Sequence, residues 1–358
     1  MSLRLQPATC TSVHYRTLVG CFFMSSFALR LAWFGIVLTV LQAPLAAARE
    51  FRFADLLPAG SPAIETALHL DSTLRERTYG RLGITVGHST TDTENFIVSQ
   101  LRLGLLDMAR LNLSAFHSSV PATVVPSLPF LFRSTEEMQR VLDGPIGDRI
   151  LAAMEKEGFV GLCFYGMGAR SIYSRRPIRH VDDVKGLTIR VQPSPAAVEM
   201  VRALGAQPLA LPFDRVDDAL KAGVVDAAEN TWSTFIAAEH DKVAKYFNHT
   251  EHMQAPSVLV FSRKIWTELS RSEQVAIRAA ANDSVPYMRE RLTAYDAVAN
   301  ERVTKSGVEV VKDVNRKSFA DALVPLYPRL VSDQRLQALV QEIRAGAETA
   351  DLPATPPR

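Results

Sequence analysis

Two short stretches hold the residue types best suited to binding an anion. Asp183-Val184-Lys185-Gly186-Leu187-Thr188-Ile189-Arg190-Val191 has the pattern of a strand, Leu187–Val191, whose apolar run is broken by one cation. A guanidinium in a strand is costly to bury unless it meets an anion, and its planar fork suits a carboxylate bidentately. Arg190 is thus a candidate carboxylate anchor; an ion pair with Asp182 or Asp183 is the competing reading. Gly223-Val224-Val225-Asp226-Ala227-Ala228-Glu229-Asn230 has a helix stop, a short strand and an acid–amide pair. Asn230 can donate to and accept from a small polar molecule, with a turn-forming role as the rival reading.

Other chemistries find less support. No G-x-S-x-G elbow occurs, so a serine nucleophile lacks its turn, and no pair of acids can be set across a glycosidic bond. His249-Thr250-Glu251-His252 is neither H-E-x-x-H nor H-x-x-E-H. Gly166-Met167-Gly168 is followed by Ser171 where a dinucleotide fingerprint needs glycine. Cys163 stands in an apolar stretch with no local partner, as a structural thiol does.

The elements that would position these residues alternate between strand and helix, punctuated by glycine and proline, the pattern of an α/β protein. Strands are predicted over 51–56, 82–86, 107–111, 160–165, 171–174 and 187–191. Helices are predicted over 62–79, 92–103 and 195–204, with Gly80, Gly104 and Gly205 as their stops. Ser134-Thr135-Glu136-Glu137 fits a capping box. Pro121, Pro126 and Pro129 mark an ordered crossing loop. A helix from Ser270 to about Arg302, kinked or broken near Pro286, is longer than one small domain needs. It suits a strut touching two lobes that share strands.

The first 48 residues have a secretory layout: Arg30, an apolar run from Leu31 to Leu41, then Ala46-Ala47-Ala48. The run is short for a membrane span. Met24 would open a more compact signal than Met1. Cleavage after Ala48 removes three of the 40 basic residues and none of the 38 acidic ones, so the remaining chain carries 37 against 38, a net charge of −1. Near-neutral charge without a basic run argues against nucleic-acid binding. Cys10 and Cys21 leave with the signal, so Cys163 has no partner for an intramolecular disulfide.

From Phe51 to about Gly307 the chain resembles the solute-binding proteins of tripartite ATP-independent periplasmic (TRAP) transporters. The likeness is carried, in order, by Leu103-Gly104-Leu105-Leu106-Asp107-Met108-Ala109, by Val125-Pro126-Ser127-Leu128-Pro129-Phe130-Leu131-Phe132 and by Gly168-Ala169-Arg170. Arg175-Arg176-Pro177-Ile178 with 183–191, Leu204-Gly205-Ala206-Gln207-Pro208, and Ala219 to Asp226 continue it. The chain departs from the family pattern at Ala227 and Thr231, where glycine and proline are usual; neither change removes a ligand group.

The resemblance implies an α/β, two-lobed periplasmic-binding-protein fold with hinge strands and a long lobe-spanning helix. Lobe I would comprise 49–167 plus 257–295 and lobe II 168–256 plus 296–350, with 351–358 a loose tail. It implies a periplasmic receptor, without catalysis or cofactor, that closes on a carboxylate-bearing solute (a sugar acid or C4-dicarboxylate) and delivers it to TRAP membrane subunits. Arg190 would pair the carboxylate, Arg170 would be a second cationic contact, and Asn230 would orient the ligand. Arg110 and Asn112 follow the strand where members vary with ligand class, although Arg110 is equally an internal ion pair or a surface residue. Glu94 lies at a helix start where some members touch their solute. Phe213, Trp232 and Phe235 are candidate aromatic walls, or plain core. A binding protein for a sensor or another transporter, or a secreted hydrolase, are the alternatives.

Overall fold

The structure, a computed structural model, describes residues 48–88 and 93–350. The secretory segment up to residue 47 and the tail 351–358 lie outside the described residues. Among the described residues nine strands form one sheet: β1 (Arg49–Asp55), β2 (Leu82–His88), β3 (Met108–Asn112), β4 (Phe159–Ser174), β5 (Thr188–Val191), β6 (Gln207–Ala210), β7 (Ala227–Thr231), β8 (Tyr246–Ser262) and β9 (Glu309–Val311). Their order is β2-β1-β3-β8-β4-β7-β5-β6, with β9 beside β8.

The sheet has two parallel wings and an antiparallel spine. β1 pairs in parallel with β2 and β3, and β5 pairs in parallel with β6 and β7. Between the wings β4 and β8 run antiparallel from Phe159↔Ser262 to Ser174↔Tyr246. The two strands expected over 160–165 and 171–174 are thus one strand of 16 residues. Glycines that look like a break are a bulge: the register shifts between Gly166 and Ala169, and Gly168 takes φ +87°.

Four apolar clusters cover the wings. Phe116, Val125, Phe159 and Phe164 belong to one, and Phe51, Phe53, Leu162 and Phe261 to a second, both on the first wing. Ile172, Ile189 and Val201 belong to a third, and Tyr173, Leu220, Phe235 and Phe247 to a fourth, both on the second wing. The long helix runs unbroken from Arg271 to Ser306, through Pro286, over 36 residues. A Ser270–Glu273 capping box opens it and Gly307, at φ 73°, closes it. It buries Ile277, Ala280 and Met288 in the second cluster and Ala299 and Val303 in the fourth, so it spans both wings.

Other local expectations were met in part. Helices Glu94–Leu103 and Pro195–Ala203 stop before Gly104 and Gly205, both in the left-handed region. Ser134 caps Glu137 N–H at 3.2 Å, but the Glu137 carboxylate turns to Arg133 N–H instead of closing the box. The proline stretch is ordered, with a 3-10 turn over Pro121–Ser127 that buries Val124 and Val125. Residues 296–350 do not pack as one block. Phe319, Leu323 and Leu326 lie in the third cluster, whereas Tyr327, Leu339, Val340 and Ile343 lie in the first. Among the described residues no helix is long and apolar enough to cross a membrane.

Candidate functional site

A cavity of about 270 Å³ opens where the wings meet the spine. The first wing supplies Leu56, Leu57, Thr93, Glu94, Asn95, Arg110, Asn112, Ser114 and Ala115. The second supplies Arg190, Gln192, Pro193, Ala210, Pro212, Phe213, Asn230, Thr231 and Thr234; Met167 and Ala255 come from the spine, as does Arg170, at the end of β4 that pairs with the second wing. Seven of the nine residues singled out from sequence therefore share one wall set: Arg190, Arg170, Asn230, Arg110, Asn112, Glu94 and Phe213.

The three arginines are in different electrostatic situations. Arg110 is bidentate to Asp55, with Nε and Nη2 each 2.5 Å from a carboxylate oxygen and both residues buried. Arg170 is bidentate to Glu229 through Nε at 2.5 Å and Nη2 at 2.8 Å, and donates from Nη1 to Asn230 Oδ1 at 2.9 Å. Burial alone would push the Glu229 carboxyl up, but the Arg170 charge and its hydrogen bonds, with His252 nearby, hold it down at about 2. Both pairs are neutral in sum.

Arg190 is different. It is 2 % exposed, donates from Nε and Nη2 to the Leu211 carbonyl at 3.0 and 2.7 Å, and leaves Nη1 buried without a partner. The acids that could have paired it are engaged elsewhere: Asp182 with Lys185 and His180, Asp183 with the Arg179 and His180 N–H groups. No carboxylate of the described residues forms an ion pair with it, and burial pulls its pKa below the usual guanidinium value. An uncompensated buried cation is expensive unless an anion arrives. Behind it, Tyr173 Oη meets His240 Nδ1 at 2.8 Å, and burial first, then the Arg190 charge, pulls His240 down to about 4. The supporting layer is therefore neutral at physiological pH.

On the opposite wall Glu94 Oε1 accepts from Asn112 N–H at 3.0 Å and from Asn112 Nδ2 at 2.8 Å. Burial raises the Glu94 pKa, against the opposing pull of Asn112 and Arg110. The helix that presents Glu94 is started by Thr93, whose side chain accepts from Phe96 N–H at 3.2 Å. Two hydrogen bonds bring the walls together beside the cavity: Ser114 Oγ to Gln192 Oε1 and His117 Nδ1 to Ser194 Oγ, each at 3.0 Å.

Two aromatic expectations are corrected. Trp232 and Phe235 are not on the cavity wall: Phe235 is fully buried, and Trp232 packs with Phe235 and Phe247 at 5.9 and 4.7 Å. Thr231 caps the helix Trp232–Ala237, and this turns both rings into the fourth apolar cluster. Phe213 does line the cavity, against His240 at 6.1 Å. Sequence reasoning did not single out Asp55, Ser114 or Gln192. The counter-ions lie 55 and 59 positions from their arginines, beyond any local pattern. Among the described residues no group of three or more His, Cys, Asp or Glu could hold a metal ion. His252 instead faces Glu229 at 3.7 Å.

The model of the family "Bacterial extracellular solute-binding protein, family 7" matches residues 53–334. A solute-binding protein of Chromohalobacter salexigens is 31% identical, over 90% of this chain and 96% of its own. The 2,3-diketo-L-gulonate-binding periplasmic protein of Escherichia coli is 31% identical over 70% of this chain and 77% of its own. Among solved structures, a TRAP periplasmic solute-binding protein of a Bradyrhizobium species, in complex with D-galacturonate, is 44% identical with a TM-score of 0.81. The match covers 83% of this chain and all of that one. A two-winged α/β sheet around a polar cavity, an unpaired buried guanidinium on its wall and these likenesses lead to one assignment: the chain belongs to family 7 of the bacterial extracellular solute-binding proteins, the solute receptors of TRAP transporters.

Proposed function

We propose that this receptor binds a sugar acid, and a hexuronate above others, with Arg190 holding its carboxylate. The observation that carries this is Arg190, which lines the cavity and whose buried Nη1 has no hydrogen-bond partner among the described residues. Arg110 and Arg170 already hold Asp55 and Glu229, so their role is to present preset polar edges to the ligand. Asn230, Gln192 and Asn112 add donors and acceptors for hydroxyls, and Phe213 and Met167 add apolar surface. The cavity volume suits a single sugar unit. The galacturonate held by the Bradyrhizobium protein, at the highest identity quoted above, supports the uronate class.

The lobe boundaries follow from the same reading. Residues 49–167 with 257–295, joined by the terminal segment from Tyr327, form one lobe; 168–256 with 296–326 form the other. Closure would bend the spine at the Gly166–Ala169 bulge, and removal of water would strengthen each polar contact to the solute. The protein would be exported by its N-terminal signal and would hand the solute, chemically unchanged, to TRAP membrane subunits. In a thermal-shift and calorimetric panel, uronates should raise the melting midpoint, by about 2.7 kcal/mol of stability at a hundredfold over Kd. The bound ligand should be recovered intact. A shift with neutral sugars but with no acid would sink the reading.

A further inference from the structure

We infer that Glu94 makes the cavity selective for acids carrying a single carboxylate, by accepting hydroxyls at the far end of the ligand and barring a second carboxylate. This rests on the sugar-acid reading above. Three guanidiniums line the cavity, but two are already matched: Arg110 by Asp55 and Arg170 by Glu229, each through two nitrogens. Among the described residues, Arg190 alone of the three lacks a counter-ion, so these residues offer a ligand one uncompensated positive charge. A doubly charged ligand would bring one anionic group too many.

Glu94 decides where that excess would fall. Its Oε1 is fixed by both Asn112 donors, which sets the carboxylate plane. Its Oε2 has no hydrogen-bond partner among the described residues, so its lone pairs are open to O–H donors. A ligand hydroxyl can donate there, whereas a second carboxylate must either face the Glu94 carboxylate as a like charge where water screens poorly or share a proton taken up with it, and both cost binding. Thus one wall attracts the acid end and the other rejects it, which fixes both the orientation and the charge of the ligand.

D-galactonate and galactarate share a six-carbon chain and its hydroxyl configuration, and differ only in a terminal hydroxymethyl against a carboxylate. Their affinities, with that of D-galacturonate, would be measured calorimetrically on the chain from residue 49 and on its Glu94→Gln variant. The unaltered protein should bind the two monoacids at least about fiftyfold more tightly than galactarate. Glu94→Gln should weaken both monoacids about fivefold and strengthen galactarate, closing the gap to within about fivefold. Galactarate bound as tightly as the monoacids by the unaltered protein, or no gain of galactarate on removing the charge, overturns the assignment. The first of these outcomes needs no variant, so misfolding of Glu94→Gln cannot shield the idea. Monoacid binding with an unmoved ratio sinks only the role of Glu94; no binding of any sugar acid sinks the parent reading with it.

Discussion

The two walls of the cavity use the same residue types to opposite effect. On the first wing one guanidinium, Arg110, faces two carboxylates, Asp55 and Glu94. On the second, two guanidiniums, Arg170 and Arg190, stand against one carboxylate, Glu229, and it is paired with Arg170 alone. Counted by formal charge over the described residues, the first wall therefore has one acid in excess and the second one guanidinium in excess. The difference teaches that counting arginines is a poor guide to anion affinity. What matters is which cation lacks a protein partner, because only that one is left for a ligand to neutralise.

The sharpest way to break this comparison is to delete each cavity cation in turn. Arg170→Met leaves Glu229 buried and uncompensated and should cost about 3–5 kcal/mol of stability in urea unfolding. Arg110→Met, stranding Asp55, should cost a similar amount. Arg190→Met removes a cation with an unmet N–H, so apo stability should hold or rise. Its affinity for D-galacturonate should nevertheless fall by about 2 kcal/mol or more, some thirtyfold. A destabilised Arg190→Met with normal binding would exchange the roles given to the two arginines.

Acid provides a graded test of the paired cation. Glu229 is held at about 2 when folded, against about 4.3 for a free glutamate. A depressed carboxyl contributes stability that is fully present above the unfolded value and is lost as pH falls through the folded one. Unfolding free energy should therefore drop by a few kcal/mol between about pH 4.5 and pH 2. In Glu229→Gln this acid-dependent loss should be visibly shallower. Equal slopes in the two proteins would mean that the pair is not coupled to folding as the geometry requires.

Much of this arrangement was legible in the sequence, and the illegible part has a common cause. Arg190 stands out because one cation interrupts an apolar strand, and the helix ends at Gly104 and Gly205 follow from local backbone preference. Glu94 could be placed only by resemblance, at the start of its helix. The Asp55 and Glu229 pairings could not be found, because they join residues far apart in the chain. Glycine marks both breaks and bulges, so one strand, β4, was divided into two. Trp232 and Phe235 have the composition of a binding wall, but the Thr231 cap turns them into the core. The segment after Tyr327 returns to the first wing through its Tyr327 hydroxyl, which donates to the Pro129 carbonyl at 2.6 Å. Local patterns determine elements; which element faces which cavity is decided by contacts across the whole chain.

The smallest expected effect sharpens the comparison from between the walls. Cys163 lies on β4, the strand that also carries Arg170, yet it faces the second apolar cluster and its thiol lies 3.5 Å from the Ala281 carbonyl. Burial pushes the thiol up to about 12, so it is neutral at any physiological pH and a poor nucleophile. Cys163→Ser keeps a donor for Ala281 but buries a more polar atom, and should change stability by no more than about 1–2 kcal/mol. Affinity for D-galacturonate should not move, and a thiol reagent should label the native protein only as fast as it unfolds. A change in affinity at matched folding would show that the spine transmits packing at Cys163 to the cavity, and the two walls could then no longer be treated as independent of what joins them.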